Sequence, residues 1–199
     1  PPSKFRRTNP DTTTTMVSFD IPGGVGFCNA VRRSLTSAVS SWAPCEVVLR
    51  KNTSCQTDEF LAHRIGLIPF RRLPGSHPNH MSLKKKGATA LAGDLLGPGF
   101  EAVHPHIEIM LLGEDQELDL TVHFDEQLAS KHARYSPCAA VGMTRLDGGD
   151  VHRISFELLD ERADPRALVH GALSALDARV DKALLHLANQ PSVPPKSMC

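Results

Sequence analysis

The sequence predicts an α+β fold, and three observations carry that prediction. Residues 16–21 and 117–124 alternate apolar and polar side chains, the period-two pattern of strands with one buried face. Residues 27–39 place Phe27, Ala30, Val31, Leu35 and Ala38 on one stripe of a helix. Residues 164–189 form the longest periodic stretch, interrupted only by Gly171.

Each element follows from its own residues. Residues 1–10, with Lys4, Arg6, Arg7 and several prolines, read as a mobile lead-in. In the first strand Val17, Phe19 and Ile21 share one face, and Ser18 and Asp20 the other. The turn Pro22-Gly23-Gly24-Val25-Gly26 ends it, and Arg32 and Arg33 emerge beside the apolar stripe of the helix that follows. Trp42-Ala43-Pro44 breaks the chain again, and residues 45–51 read as another strand. Thr57 or Asp58 caps a short helix; Asp58 and Glu59 suit its positive end, and it stops near Gly66 ahead of Pro69. Residues 71–99 are rich in Gly, Pro, His and Lys and read as loop-dominated. Residues 107–112 and 117–124, flanking a turn at 113–116, predict a β-hairpin. A last strand over 151–159 follows the turn Asp147-Gly148-Gly149 and buries Ile154, Phe156 and Leu158.

The closing helix starts at Asp164-Pro165, a capping residue followed by proline at the first helical position. Val169, Leu173, Leu176, Val180, Ala183 and Leu187 then recur at alternating spacings of four and three, an a/d heptad seam. Leu168, Ala172, Ala175 and Leu184 widen it. A stripe this wide faces the chain's own sheet with one side and a second helix with the other.

Composition narrows the function. At 199 residues the chain allows one domain or two small intertwined ones. With 41% hydrophobic residues, 22% charged residues and zero formal net charge, it lacks the basic excess of a free-standing nucleic-acid binder. Its cysteines, at 28, 45, 55, 138 and 199, form no C-x-x-C pair, which argues against a disulfide framework or a structural zinc site and for an intracellular protein with reduced thiols. No apolar run is long enough to span a membrane, and residues 1–10 lack the apolar stretch of a secretory signal.

Four groups invite a chemical reading. Gly23-Gly24-Val25-Gly26 lies where a phosphate loop would lie, but Asn29 stands in place of the third glycine of a dinucleotide fingerprint and no Lys-Ser/Thr ending follows, so it reads as a tight turn. The pairs His77/His80 and His104/His106 sit in Gly- and Pro-rich stretches without acidic or cysteine partners, and read as surface histidines. Cys138, near His132, has the ordinary reading of a buried thiol at a strand edge rather than a nucleophile. Lys84-Lys85-Lys86 is open to a phosphate backbone or to solvent in a loop. No catalytic, cofactor-binding or metal-ligating residue is assigned.

Three segments carry a resemblance. Gly26-Phe-Cys-Asn-Ala-Val-Arg-Arg-Ser-Leu35 is similar to the G-N-A-L-R-R-x-L helix of the alpha family of RNA polymerase subunits. Asn52-Thr-Ser followed by Asp58-Glu-Phe-Leu-Ala-His-Arg-Ile-Gly-Leu-Ile-Pro69 resembles that family's D-E-F-x-A-H-R-L-G-L-I-P signature nearly residue for residue. Ala129-Ser-Lys-His-Ala-Arg-Tyr-Ser-Pro137 resembles the K-E-H-A-K-W-S-P segment of archaeal and eukaryotic members. By pattern the chain is nearest the archaeal D-type and the eukaryotic third-largest classes of this family, with the bacterial alpha N-terminal domain more distant.

The resemblance implies a dimerisation domain (residues 1–44 and 148–199), an antiparallel sheet with two packed helices, interrupted by a mainly β insert (45–147). It implies a non-catalytic scaffold that pairs with a small alpha-like subunit of the archaeal L type through Phe27, Val31, Arg32, Arg33, Leu35, Val169, Leu173, Leu176, Val180, Ala183 and Leu187. Asn29, Glu59, His63 and Arg64 would dock the second-largest, beta-like subunit, with Arg32 and Arg33 also contacting it or supporting that surface. The largest subunit and a small zinc-binding polymerase subunit are further implied partners, with no cofactor, no direct nucleic-acid specificity and no membrane. The location implied is intracellular: the nucleus for a eukaryotic protein, the cytoplasm or a virion for a prokaryotic or viral one. The chain departs from many relatives in lacking a cysteine-rich insert, and its middle is short; a member from a large DNA virus and a divergent cellular one both fit. Two alternatives are a bacterial-type homodimer and a small nucleotide-using enzyme built on the glycine turn.

Overall fold

Alternation along the first apolar run lays one face of a sheet over a core. The computed structural model describes residues 6–8, 15–75, 78–146 and 149–189. In chain order β1 (Arg6–Thr8) and β2 (Thr15–Pro22) lead to α1 (Val25–Ser37), then β3 (Ser40–Asn52) and α2 (Asp58–Gly66). Short strands β4 (Phe70–Arg72), β5 (His80–Lys86), β6 (Thr89–Leu91), β7 (Phe100–Ala102) and β8 (Glu108–Leu111) follow. Long strand β9 (Glu117–Leu128), then β10 (Cys138–Arg145), β11 (Val151–Leu158) and α3 (Pro165–Ala188) complete the order.

Two cores result. The first lies under an antiparallel sheet ordered β1-β2-β11-β10. Val17, Phe19 and Ile21 from β2 and Ile154, Phe156 and Leu158 from β11 face inward, with Phe19 and Phe156 meeting edge to face at 6.4 Å. Helix α1 closes this core with Cys28, Val31 and Leu35, and α3 with Leu168, Val169 and Ala172. On the sheet's other face Arg153 forks onto its cross-strand neighbour Asp20 at 2.7 and 3.0 Å.

The second core is built on β9, which lies between β3 and β5. Leu118, Leu120, Val122 and Phe124 point into it, against Met81 and Leu83 of β5 and Leu61 and Ile65 of α2. Phe100 stacks on Phe124 at 4.1 Å. Two ribbons, β4–β7 and β6–β8, complete it. Helix α2 begins as its residues dictate: the Thr57 side chain accepts a hydrogen bond from the Phe60 amide, with Asp58 and Glu59 in the first turn.

Several expectations are corrected. Residues 107–112 and 117–124 are strands, but they do not form a hairpin: β8 pairs with β6, and β9 is taken by its neighbours β3 and β5. The cause is length, because the twelve-residue β9 matches the thirteen-residue β3 almost end to end, a pairing the short β8 cannot offer. Trp42-Ala43-Pro44 does not break the chain; Pro44 sits at a register shift inside a continuous β3. Residues 71–99 are not mainly loop, since Met81 and Leu83 alternate inward along β5 and hold it on β9. Arg6–Thr8 pairs along the edge of β2, while the rest of the lead-in lies outside the described residues, as do His77, Asp147 and Gly148. Strand β10 adds to the first sheet ahead of residue 148, with a bulge at Ala140, whose φ is +50°.

Candidate partner-binding surfaces

The seam on α3 divides in two. Val169 is enclosed by the chain's own core, and Leu173 and Leu176 pack half-buried at its edge. Every residue from 177 to 189 is exposed, so the helix outruns the sheet it rests on. Val180 and Leu187, at 48% and 62% exposure, and Leu184 beside them continue the same stripe with nothing over it. Large apolar side chains left uncovered in a row mark an interaction surface.

Helix α1 completes this surface. Phe27, at the start of the stripe, is exposed and lines a groove with Ala30, Leu173, Leu176 and Val180. Val31 and Leu35 are buried against the sheet, so like Val169 they hold the helices in place beneath any interface. Arg32 and Arg33, about 100° apart around the helix, separate. Arg32 donates to the Asn29 side chain at 3.0 Å, whereas Arg33 lines the α1–α3 groove. Cys28, absent from the stripe, is buried and donates to the Gly23 carbonyl at 3.4 Å.

A second surface lies on α2. Glu59, His63 and Arg64 are all exposed, and Arg64 Nε donates to the Glu108 carbonyl at 3.0 Å. Phe60 and Leu67 are exposed on the same helix-and-turn and extend the patch. Their spacing, seven residues with His63 and Arg64 between, is the sequence signal that this helix has an outer face with apolar content. The three groups expected at a large-subunit contact therefore share one surface, while Asn29 lies on α1.

The two cores are joined by an ion cluster that the sequence does not disclose. Arg71 of β4 forks onto Asp160, which precedes α3, with Nε donating at 2.6 Å. It also donates to Glu101 of β7, which accepts from Arg162 at 3.2 Å. Beside this cluster a cleft of about 430 Å³ is lined by Trp42, Leu67, Phe70, Arg72 and Pro137 among others, with the Arg72 guanidinium 4.0 Å from the Trp42 ring centre. Burial pushes the Asp160 carboxyl up, but hydrogen bonds from Arg71 and the Arg162 amide, with both positive charges, outweigh it and hold its pKa below the usual range. A carboxylate depressed in this way stabilises the fold above its unfolded-state pKa, near 3.9, and that stabilisation is lost as pH falls through the folded value. Asp160→Asn is therefore expected to lower stability by about 1.5 kcal/mol at pH 7 and to flatten its decline below about pH 4, measured by denaturant titration at each pH.

The remaining candidates have structural roles. Gly23 adopts φ +139°, where a side chain is strained, and its amide donates to the Asp150 carbonyl at 2.7 Å, so the glycines make the turn from β2 into α1. Burial raises the Cys138 thiol to about 11, and it donates to the Leu35 carbonyl at 3.5 Å. The His132 Nδ1 accepts from the Arg134 amide at 3.1 Å, which starts the short turn over Ala133–Tyr135. Lys84 and Lys85 are strand residues beside acids: Lys85 pairs with Asp94 at 2.9 Å and Lys84 lies 3.9 Å from Glu117 and Asp119. Among the described residues no group of three or more His, Cys, Asp or Glu is placed to hold a metal ion. No described helix is long and apolar enough to cross a membrane.

Comparison with known proteins gives a consistent set. The chain is 32% identical over 126 residues to the DNA-directed RNA polymerase subunit Rpo3 of Methanocaldococcus jannaschii, covering 62% of this chain and 66% of that one. It is 34% identical over 140 residues to subunit Rpo3 of Methanopyrus kandleri, covering 60% and 51%. It is 28% identical over 176 residues to the human DNA-directed RNA polymerases I and III subunit RPAC1, covering 65% and 51%. The chain thus spans about half to two thirds of the length of the curated relatives it matches. No family model matches it.

Proposed function

Because the chain belongs to the alpha-like family of DNA-directed RNA polymerase subunits, we propose that it is a non-catalytic assembly subunit which pairs with a small alpha-like subunit and presents the pair to the large subunits. The observation that carries this is the bare apolar seam of α3, continuing past the chain's own core from Leu176 to Leu187. A helix that exposes Val180, Leu184 and Leu187 in line needs a partner helix to cover them. Phe27 and Ala30 of α1 form the other wall of that contact.

In this reading residues 1–44 and 148–199 build the dimerisation unit and 45–147 the insert, with β10 extending the first sheet from within the insert's sequence range. The two separate cores support such a division. Glu59, Phe60, His63, Arg64 and Leu67 form the surface for the second-largest subunit, and Asn29 of α1, which accepts a hydrogen bond from Arg32, is assigned to the same docking role. The largest subunit and a small zinc-binding subunit join the same intracellular assembly. Binding energy comes from apolar area at about 25 cal/mol per Å², less the cost of association.

A tagged pull-down from the native source, with the captured chains identified by mass spectrometry, tests the proposal. Two large polymerase subunits and a small alpha-like chain in stoichiometric amounts are the expected result. Recovery of the chain alone, or with unrelated enzymes, would overturn it.

A further inference from the structure

We propose that the dimer partner inserts a carboxylate side chain between Arg33 and Arg179, and that this contact sets the register of the partner helix. The proposal rests on the heterodimer reading above.

Helix α1 approaches α3 at Ala30, beside Leu176 and Val180. Small side chains here have a consequence: Ala30 and Ala183 leave a hollow of about 310 Å³, whose remaining walls are Arg33 and Arg179. Both arginines are exposed, and neither has an ion pair among the described residues. Two guanidinium groups from different helices therefore border one apolar-floored hollow with no counter-charge between them. Covering the seam with a partner helix would take both out of water, which is unfavourable unless an acid meets them. A carboxylate fits, because each guanidinium presents a planar fork of donors matched to its two oxygens.

The adjoining part of the same groove, which shares Ala30, Leu176 and Val180 with the hollow, has the opposite character. There the groove is lined by Phe27, His170 and Asp177, with an acid in place of the arginines. A partner helix laid along the seam meets positive charge on one side of Ala30 and negative charge on the other. A partner helix with a carboxylate facing the arginines and no acid facing Asp177 satisfies both, so the pair of arginines favours one register as well as holding the partner.

The test uses the full chain co-expressed with its partner subunit, comparing wild type, Arg179→Lys and the double variant Arg33→Glu/Arg179→Glu. Because both positions are exposed, unfolding midpoints of the isolated chain should stay unchanged. The double variant is expected to weaken heterodimer affinity by about 30-fold or more, with Arg179→Lys intermediate. Wild-type association should slow as salt rises from about 50 to 200 mM, and the double variant's should not. Replacing the facing partner carboxylate by lysine should restore binding to the double variant. Affinity within about threefold of wild type for the double variant would overturn the proposal. Val180→Asp separates the two levels. If it destroys the heterodimer while the charge reversals do not, only the carboxylate contact fails; if it too has no effect, the heterodimer reading fails. A symmetric dimer of the chain alone that Arg179→Glu disperses would place the carboxylate on a second copy and overturn the choice of partner.

Discussion

Val180→Asp is expected to abolish heterodimer formation while leaving the chain folded. The position combines two properties that rarely coincide. Val180 lies on the same stripe as the buried Val169, one turn from Leu176 and Ala183, so a partner helix that covers the seam must cover it. In the isolated chain it is 48% exposed, so an aspartate there stays hydrated. Only the complex takes that carboxylate into a dry contact, at several kcal/mol. Affinity should fall by about 100-fold or more, with the thermal midpoint of the chain alone unchanged. Leu176→Asp is a less clean test, because Leu176 also packs against the chain's own core and its loss destabilises the monomer. Co-purification of the Val180 variant at wild-type yield would remove α3 from the interface.

The elements whose pattern depends on neighbours in sequence are legible from the residues alone. Asp164-Pro165 starts α3, Thr57 caps α2, and the alternations of β2, β9 and β11 bury the side chains they should. What sequence does not supply is pairing. Glu117–Leu128 reads the same whether its partner is the preceding strand or a strand over sixty residues earlier; only the length of Ser40–Asn52 decides it. Strand β5 is hidden by its lysines, whose charge suggests a loop although Met81 and Leu83 keep the strand period and acids on β9 and at Asp94 receive two of the amines.

The surfaces divide on the same principle. Exposure of Val180, Leu184 and Leu187 follows from α3 being longer than the sheet beneath it, which the seam alone hints at by outlasting any single-sided need. At the start of α1 the Cys28 thiol faces the core and Phe27 is left exposed, a division that the stripe alone does not give. Arg179 gives no signal, since its importance depends on α1 bringing Arg33 to the same hollow. The Arg71–Asp160–Glu101 cluster is silent for the same reason: its members are thirty and eighty-nine residues apart and only the packed cores bring them together.

Phe156→Ala is expected to produce the largest loss of stability. Its ring is fully buried at the centre of the first sheet and meets Phe19 edge to face at 6.4 Å. Ile154 and Leu158 flank it along β11, Val17 lies directly across on β2, and α1 and α3 close the same core. Removing it forfeits the transfer energy of a large side chain and leaves a cavity that β-strands paired on both sides cannot collapse into, about 3–5 kcal/mol. For a chain of this size that corresponds to a fall of about 10 °C in thermal midpoint. The functional consequence differs from that of Val180→Asp. Val180 acts only on the bound state, whereas Phe156 supports the platform on which both interface helices are set. Its loss should lower the midpoint of the isolated chain first and weaken partner binding in proportion, with excess partner recovering part of the complex by mass action. A Phe156→Ala chain with a midpoint within about 2 °C of wild type would mean that α1 and α3 do not depend on this core, and the account of how the interface is held would have to be abandoned.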